Sequence, residues 1–394
     1  MQDYKYPLAT TTWDDAEISA MHSVIDSRNF TMGSRVAEFE GQFADFFGTN
    51  HAIMSNSGSS ANLLALGAIR YSSFYKGDDK DEVIVPAVSW STTYYPIAQM
   101  GFKLKFVDID IDTLNAPVEN IQAAITKRTA GIVAVNLLGN PSELDKIRAL
   151  ADANGLFLVE DNCESLGAKV AGKYAGTFGD IGTFSSFFSH HISTMEGGIS
   201  VTESEELRQV MTSLRAHGWT RELPPKNFVH DKSGEAFDDL FRFVLPGYNL
   251  RPLELEGAIG TEQLKKVDGI IQGRRKNHGR FAEVMARFPE VRIQREVGES
   301  SWFGFSLILD GSVQGQRARL VETLEKYSIA VRPIVAGNFA KNPVMKHLEH
   351  VELGALPNAD LVHSDGLFIG NHHYPMQDEF DLLETALTKF TEAG

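Results

Sequence analysis

The chain has 394 residues, of which 43% are apolar and 23% charged, an ordinary balance for a soluble protein with a large core. Its formal charge is −15, from 37 basic and 52 acidic residues, which argues against a surface that binds nucleic acid. Cys163 is the only cysteine, so the sequence excludes an internal disulfide and the cysteine ligands of an ordinary iron–sulfur cluster.

No stretch of the sequence is long and apolar enough to span a membrane, and the first residues carry acids without an apolar core. We therefore expect a cytoplasmic protein that does not insert into a membrane. The signatures G-x-G-x-x-G, G-x-x-x-x-G-K-[ST] and H-E-x-x-H are absent. Their absence argues against a nicotinamide enzyme, a P-loop nucleotidase and a zinc protease.

Apolar runs alternate with helical patterns through the first two thirds of the chain. The runs predict strands at Glu82–Val88, Lys103–Val107, Gly131–Val135, Leu156–Val159, Thr183–Phe188 and Ile199–Thr202. The patterns between them predict helices at Ala61–Arg70, Pro117–Ala124, Ser142–Ala153 and Ser204–His217, and we expect Ser142 to cap its helix. This alternation predicts an α/β fold with a mostly parallel central sheet.

The pattern changes after about residue 255. Two long helices, Leu253–Lys266 and Asp268–Ala286, are followed by short strands and helices at Val291–Gln294, Phe303–Leu309, Gln314–Tyr327 and Asp378–Thr391. We expect a large domain over residues 1–258 and a smaller C-terminal α+β domain over 259–394. The basic run Arg274–Lys276 is interpreted as a solvated helix face.

Three polar or aromatic features stand at positions that suit a ligand. The small-residue turn Ser57–Ala61 opens a helix, where backbone N–H groups can hold a phosphate, although an ordinary helix cap looks the same. Asp161 follows the strand Leu156–Val159, at the sheet edge where ligands gather, and is either a partner for a ring nitrogen or a surface acid. Trp90 either stacks on a planar ligand or is half-buried at the boundary between two domains.

Two adjacent histidines, His190 and His191, lie in the segment SSFFSHHISTMEGG. Neighbouring side chains on an extended chain point apart, so the pair is a poor metal site, and we predict none. A role as acid or base suits one of them, because histidine titrates near neutral pH. Together, the phosphate turn, the carboxylate and the aromatic residue suit pyridoxal phosphate (PLP).

The motifs SGSSANL, PAVSW, VEDN, SSFFSHHISTMEGG and GYNLRPLELEGAIG resemble the sugar aminotransferase family of fold-type-I PLP-dependent enzymes over nearly the whole chain. In that family, an S-F-x-x-x-K-x-[IL]-x-x-G-E-G-G segment carries the lysine that forms a Schiff base with PLP. His190 stands at the place of this lysine, and Met195 replaces a glycine. Histidine cannot form that Schiff base but can move protons, as in the 3-dehydratases of this family.

The resemblance implies a set of residue roles. Gly58, Ser59 and Ser185 would hold the phosphate, Trp90 would stack on the ring and Asp161 would pair with its nitrogen. Glu164 would lie near the ring hydroxyl, Asn249 would reach the cofactor phosphate of the other subunit in a homodimer with shared sites, and His190 would be the catalytic acid and base. His191 is interpreted as structural. The candidate substrate contacts are His217, Arg221 and Arg332.

The resemblance also implies the reaction. L-Glutamate would convert non-covalently bound PLP to pyridoxamine phosphate (PMP), whose amine would condense with the C4 ketone of a nucleotide sugar. The C3 hydroxyl would leave, and hydrolysis would release ammonia. One family branch acts on a CDP-sugar with an iron–sulfur cluster, which a single cysteine cannot build. The cluster-free branch acts on GDP-4-keto-6-deoxymannose in the colitose pathway of O-antigen lipopolysaccharide. The alternatives are a nucleotide-sugar 4-aminotransferase and a non-catalytic PLP-binding regulator.

Overall fold

The computed structural model describes residues 4–77 and 79–392. The strands are β1 (His51–Ser55), β2 (Glu82–Pro86), β3 (Lys103–Val107), β4 (Thr129–Val135), β5 (Phe157–Asp161), β6 (Lys169–Val170), β7 (Lys173–Tyr174), β8 (Ile181–Ser185), β9 (Gly198–Thr202), β10 (Val291–Arg292), β11 (Gly304–Leu309), β12 (Val331–Arg332) and β13 (Gly366–Gly370). The helices are α1 (Asp15–Ser27), α2 (Ser34–Phe47), α3 (Gly58–Arg70), α4 (Ser91–Gln99), α5 (Val118–Ala124), α6 (Leu144–Asn154), α7 (Glu205–Arg215), α8 (Ala236–Asp239), α9 (Glu254–Leu264), α10 (Val267–Met285), α11 (Arg317–Lys326), α12 (Pro357–Asp365) and α13 (Gln377–Glu392).

Seven strands form the central sheet in the order β1-β9-β8-β5-β4-β2-β3. The neighbours β2, β3, β4, β5 and β8 pair in parallel, whereas β9 runs antiparallel to both β8 and β1. The prediction of an α/β fold with a mostly parallel central sheet is therefore confirmed.

Helices cover both faces of this sheet because its strands are apolar on both sides. Val83 and Val85 of β2 pack with residues of α3 and α7 on one face, while Ile84 packs with residues of α5 and α6 on the other. This alternation follows from the twofold repeat of side-chain direction along a strand. The buried sheet fixes the positions of the loops at its ends.

A second sheet of four strands, in the order β10-β11-β13-β12, forms with α11 and α13 the C-terminal core. Residue 258 lies inside α9, and α10 contributes to two cores. Val267 and Ile270 pack with the phenylalanines of α2, whereas Phe281 and Val284 pack in the C-terminal core. The division at residues 258 and 259 therefore stays a prediction.

The prediction that Ser142 caps a helix is wrong. The helix α6 begins at Leu144, and the Ser142 hydroxyl instead donates to the carbonyl oxygen of Val135 at 2.8 Å. The backbone N–H of Ser142 donates to Asn136 at 2.7 Å, so both groups are used at the end of β4.

Within the described ranges, no helix is long and apolar enough to cross a membrane.

Candidate active site

The carboxyl ends of β1, β2, β4, β5 and β8 lie at one edge of the central sheet, because these strands run in the same direction. The segments that follow β1, β2, β5 and β8 hold predicted site residues. The antiparallel β9 begins at the same edge, where Gly198 faces Ser55 and Ser185. The sheet thus brings together segments that are far apart in the sequence.

The small-residue turn after β1 is both a helix cap and a concave surface. The Ser57 hydroxyl accepts the backbone N–H of Ser60 at 3.1 Å and so caps α3. A Cβ atom on Gly58 would lie 2.6 Å from the Cβ of Ser185 and 3.0 Å from the Cys163 sulfur, so only glycine fits. The exposed Ser59 donates to the Thr92 hydroxyl at 2.8 Å. A helix start lined with small residues suits a phosphate.

Asp161, the last residue of β5, is 6% exposed and firmly held. One carboxylate oxygen, Oδ2, accepts hydrogen bonds from the amide of Asn62 at 2.9 Å and the hydroxyl of Thr93 at 2.7 Å. The other, Oδ1, accepts the backbone N–H of Cys163 at 3.1 Å. A carboxylate placed in this way can pair with a protonated ring nitrogen.

Trp90 and Glu164 lie on the loops after β2 and β5. Trp90 precedes the first residue of α4 and is 59% exposed, so in this chain its ring does not fill a domain seam. Glu164 accepts the backbone N–H of Leu138 at 3.0 Å. Burial, opposed by that hydrogen bond and helped by the charge of Asp161, raises the pKa of Glu164 to about 7. Glu164 therefore titrates near neutral pH.

His190 lies half-buried between two aromatic rings, with ring centroids 5.1 Å from Phe303 and 5.9 Å from Phe187. Its Nδ1 atom is buried and has no hydrogen-bond partner in the part of the chain that the structure describes. Burial, with a smaller contribution from the cation of Arg274, lowers the pKa of His190 to about 4. The imidazole is therefore neutral at pH 7 and able to accept a proton.

The His191 ring lies inside the protein, with its centroid 5.9 Å from that of Phe303. It is buried, and its Nε2 atom forms a hydrogen bond with the backbone carbonyl oxygen of Ser301 at 3.0 Å. Burial lowers the pKa of His191 well below its ordinary value. These contacts suit the structural role that the sequence predicted for His191.

The interpretation of Arg274–Lys276 as a solvated helix face is wrong for Arg274. This side chain is only 5% exposed and donates to the backbone carbonyl oxygens of Phe303 at 2.9 Å and Asn371 at 2.7 Å. Arg274 therefore ties α10 to the segment whose Phe303 ring contacts His190. Burial lowers the pKa of Arg274 to about 10, so it stays a cation at neutral pH.

Three further candidates lie together on the segment that follows α7. Asn249 pairs with Ala216 through a backbone bridge, and the backbone N–H of His217 donates to the Tyr248 carbonyl at 2.6 Å. The Arg221 guanidinium lies 4.0 Å from the centroid of the Trp219 ring. The segment reaches the phosphate turn at Leu250, whose carbonyl oxygen accepts the backbone N–H of Asn56 at 3.0 Å.

Arg332 lies apart from these residues. It is an exposed residue of β12, where its backbone pairs with Phe368 of β13. Within the described ranges, no hydrogen bond joins its side chain to another candidate residue. Its role as a substrate contact stays a prediction.

The sequence analysis missed the residues that support the site. Asn62 and Thr93 hold Asp161, Phe303 covers His190 and Arg274 holds Phe303. A polar Asn62 within the apolar run ANLLALGAI was the one available signal, because an amide in a buried helix needs a partner. In the residues that the structure covers, no group of three or more His, Cys, Asp or Glu side chains is arranged to hold a metal ion.

Comparison with known proteins gives relatives that match along almost the whole chain. The chain is 50% identical over 386 residues to GDP-4-keto-6-deoxy-D-mannose 3-dehydratase of Yersinia pseudotuberculosis, covering 98% of each. It is 51% identical over 384 residues to the enzyme of the same name from Escherichia coli, covering 97% of this chain and 99% of that protein.

A crystal structure of GDP-4-keto-6-deoxymannose-3-dehydratase with a trapped PLP-glutamate geminal diamine superposes with a TM-score of 0.94, at 50% identity, covering 97% of this chain and 100% of that one. The model of the DegT/DnrJ/EryC1/StrS aminotransferase family matches residues 11–383. The chain belongs to the DegT/DnrJ/EryC1/StrS aminotransferase family.

Proposed function

We propose that this chain is a PLP-dependent nucleotide-sugar 3-dehydratase that removes the C3 hydroxyl of GDP-4-keto-6-deoxy-D-mannose. The observation that carries the proposal is the half-buried His190 on the loop after β8, whose buried Nδ1 has no hydrogen-bond partner among the described residues. The 50% identity to GDP-4-keto-6-deoxy-D-mannose 3-dehydratase over 98% of both chains supports the substrate.

The residues at the sheet edge fit the cofactor. The Gly58 position has no room for a side chain, so the helix start can approach a phosphate closely, and Ser59 and Ser185 add hydroxyls beside it. The Asp161 carboxylate suits the ring nitrogen, the exposed Trp90 suits the ring face, and Glu164 suits the ring hydroxyl. When bound in its amine form, the cofactor supplies an amine for the sugar ketone and a conjugated ring that takes up electrons.

His190 then serves as the proton carrier. Its neutral imidazole would accept a proton from the C4′ carbon of the cofactor, and the resulting cation would donate a proton to the departing C3 hydroxyl. The overall reaction balances: the keto sugar and L-glutamate give the 3-deoxy keto sugar, 2-oxoglutarate and ammonia. Glutamate supplies the two electrons, so neither an iron–sulfur cluster nor a reductase is needed.

We also propose a cytoplasmic homodimer in which the two subunits share their active sites. Several aromatic side chains near the sheet edge and on the segment after α7 are exposed, among them Phe187, Phe188, Phe241 and Phe237, the last 85% exposed. Large exposed aromatic side chains suit coverage by a second copy, which would also bring its exposed Asn249 to a neighbouring site.

The activity is tested by incubating the purified protein with PLP, L-glutamate and GDP-4-keto-6-deoxy-D-mannose, followed by product mass and ammonia release. We expect a product lacking the C3 oxygen, with one ammonia per sugar. An amino sugar without ammonia release would instead show a 4-aminotransferase, and unchanged substrate would show a non-catalytic protein. CDP- and dTDP-linked 4-keto sugars test the nucleotide, and we expect much slower turnover of both.

The shared site is tested by mixing two inactive variants. A chain with Asn249→Ala and a chain with His190→Asn each disable a different part of the site. If the subunits share sites, exchanged heterodimers contain one site with both residues intact, and activity returns. Absence of activity in heterodimers isolated with two affinity tags would contradict the shared site without touching the dehydratase assignment.

A further inference from the structure

The Asp161 carboxylate is held by a buried polar network that joins α3, α4 and β8. Asn62 of α3 and Thr93 of α4 both donate to the same oxygen, Oδ2, at 2.9 and 2.7 Å. The other oxygen, Oδ1, accepts the backbone N–H of Cys163 at 3.1 Å. The side chains of Asn62 and Thr93 are at most 4% exposed, so water does not compete for these hydrogen bonds.

Outer partners fix the direction of both donors. The Thr183 hydroxyl of β8 donates to the carbonyl oxygen of the Asn62 side chain at 2.6 Å, so the amide nitrogen must face Asp161. The hydroxyls of Ser89 and Thr93 lie 2.8 Å apart, and since the Thr93 proton points to Asp161, Ser89 donates to Thr93. The network therefore presents two donors, and no acceptor, to Oδ2.

This arrangement has two consequences for the carboxylate. Because Oδ2 accepts hydrogen bonds from both Asn62 and Thr93, the network holds the Asp161 carboxylate in one orientation. Oδ2 has two strong donors, whereas Oδ1 accepts one backbone N–H, and the Cys163 thiol, a weak donor, also lies within hydrogen-bond reach of the carboxylate. Oδ1 is thus the oxygen that remains available to a cation.

We propose that Asn62 and Thr93 are positioning residues that hold the Asp161 carboxylate in one orientation and leave its Oδ1 for the protonated ring nitrogen of the cofactor. This inference rests on the proposed function, because it assumes that PLP binds at this edge. It goes further in assigning a task to two residues that do not themselves need to touch the cofactor. Leucine is close in shape to asparagine, and valine to threonine, so each residue can be tested without a large change of shape.

The test measures the binding of two cofactors to the full-length protein and its variants by fluorescence titration. One cofactor is PLP, and the other is its deaza analogue, in which a C–H replaces the ring nitrogen. Loss of a hydrogen bond to a charged group weakens an interaction about tenfold. We expect Thr93→Val and Asn62→Leu to bind PLP about tenfold more weakly than wild type, and the deaza analogue within about twofold of wild type.

Two further variants complete the comparison. Thr93→Ser keeps the hydroxyl and should restore PLP binding. Thr212→Val removes a buried hydroxyl that bonds the Arg208 carbonyl oxygen in α7, and it should change neither affinity. If Thr93→Val and Asn62→Leu weaken both cofactors equally, or weaken neither, the positioning role is wrong.

A second readout follows the ring nitrogen directly. With nitrogen-15-labelled PLP bound, the chemical shift of the ring nitrogen reports its protonation, and we expect the unprotonated form to gain population in Thr93→Val. An unchanged shift in that variant would overturn the proposal. A wild-type protein that binds PLP and the deaza analogue equally would contradict the assignment of Asp161 in the proposed function, which is a separate failure.

Discussion

Replacement of Arg274 by methionine tests how a buried cation supports the catalytic histidine. Arg274 is 5% exposed, and within the described ranges no carboxylate forms an ion pair with it. Its guanidinium donates to the backbone carbonyl oxygens of Phe303 and Asn371, and the Phe303 ring packs on His190. The substitution therefore removes two hydrogen bonds and also the burden of burying a charge.

The two effects oppose each other. Two hydrogen bonds from a charged donor contribute roughly 3 to 6 kcal/mol to folding. Burial lowers the pKa of Arg274 to about 10, which corresponds to a desolvation cost of roughly 3 kcal/mol. The hydrogen bonds therefore outweigh the desolvation cost by a small margin. We expect Arg274→Met to lower the free energy of unfolding by about 2 kcal/mol.

The assay is urea unfolding of the variant beside wild type, with linear extrapolation to water. The matched control is Lys276→Met, an exposed position on the same helix, which should change stability by less than about 0.5 kcal/mol. Turnover by Arg274→Met should also fall, because Phe303 is no longer held against His190. A variant as stable as wild type would refute the reasoning, since it would mean that desolvation outweighs the hydrogen bonds.

Three further predictions concern the site and the helix beside it. His190→Asn should keep PLP binding but lower dehydration by about 10²- to 10⁴-fold in the ammonia assay, whereas His191→Gln should cost less; equal losses would contradict the assignment of His190. Because the pKa of Glu164 is raised to about 7, its carboxyl is mainly neutral at pH 6 and ionised at pH 8. Glu164→Gln should therefore resemble wild type at pH 6 and remove a transition near pH 7 in the absorbance of bound PLP. A transition that persists in this variant would belong to another group. Glu254 is buried and accepts the backbone N–H groups of Gly33, Arg35 and Val36 at the start of α2, so Glu254→Ala should destabilise the protein by about 2 to 4 kcal/mol in urea, and a change below 1 kcal/mol would refute that role.

Six of the seven strands of the central sheet were predictable because they are short apolar runs bounded by helical patterns, whereas β1 was not predicted. The prediction for Lys103–Val107 matches β3, and the others differ from the observed strands by a few residues at their ends. The helices α1, α2 and α4 were not predicted. In α4 the run STTYYPIAQ contains Pro96 and several β-branched or aromatic residues, which disfavour a helix until the sheet packs against it.

The candidate site was predictable only where a residue follows directly on a strand. Asp161 and the turn at Gly58 could be placed at the carboxyl edge from the order of strands alone. The role of Arg274 could not, because its three-residue basic run looks like a solvated helix face until the fold brings Phe303 and Asn371 to its side chain. Such contacts join residues 29 and 97 positions apart, and local pattern carries no information about them.

Asp161 and Glu164 differ in the hydrogen bonds that they receive, and this difference separates their tasks. Asp161 accepts hydrogen bonds from Asn62, Thr93 and the backbone of Cys163, so its carboxylate is held in one orientation, which suits a partner for a ring nitrogen. Glu164 accepts the single described hydrogen bond from Leu138, and burial raises its pKa to about 7. A carboxyl with that pKa can hold or release a proton as its partner requires, which suits the neighbourhood of a ring hydroxyl whose own charge changes during the reaction. With the neutral His190, the site holds one carboxylate of fixed orientation and two groups able to exchange protons, and a dehydration that takes a proton and returns one needs such groups.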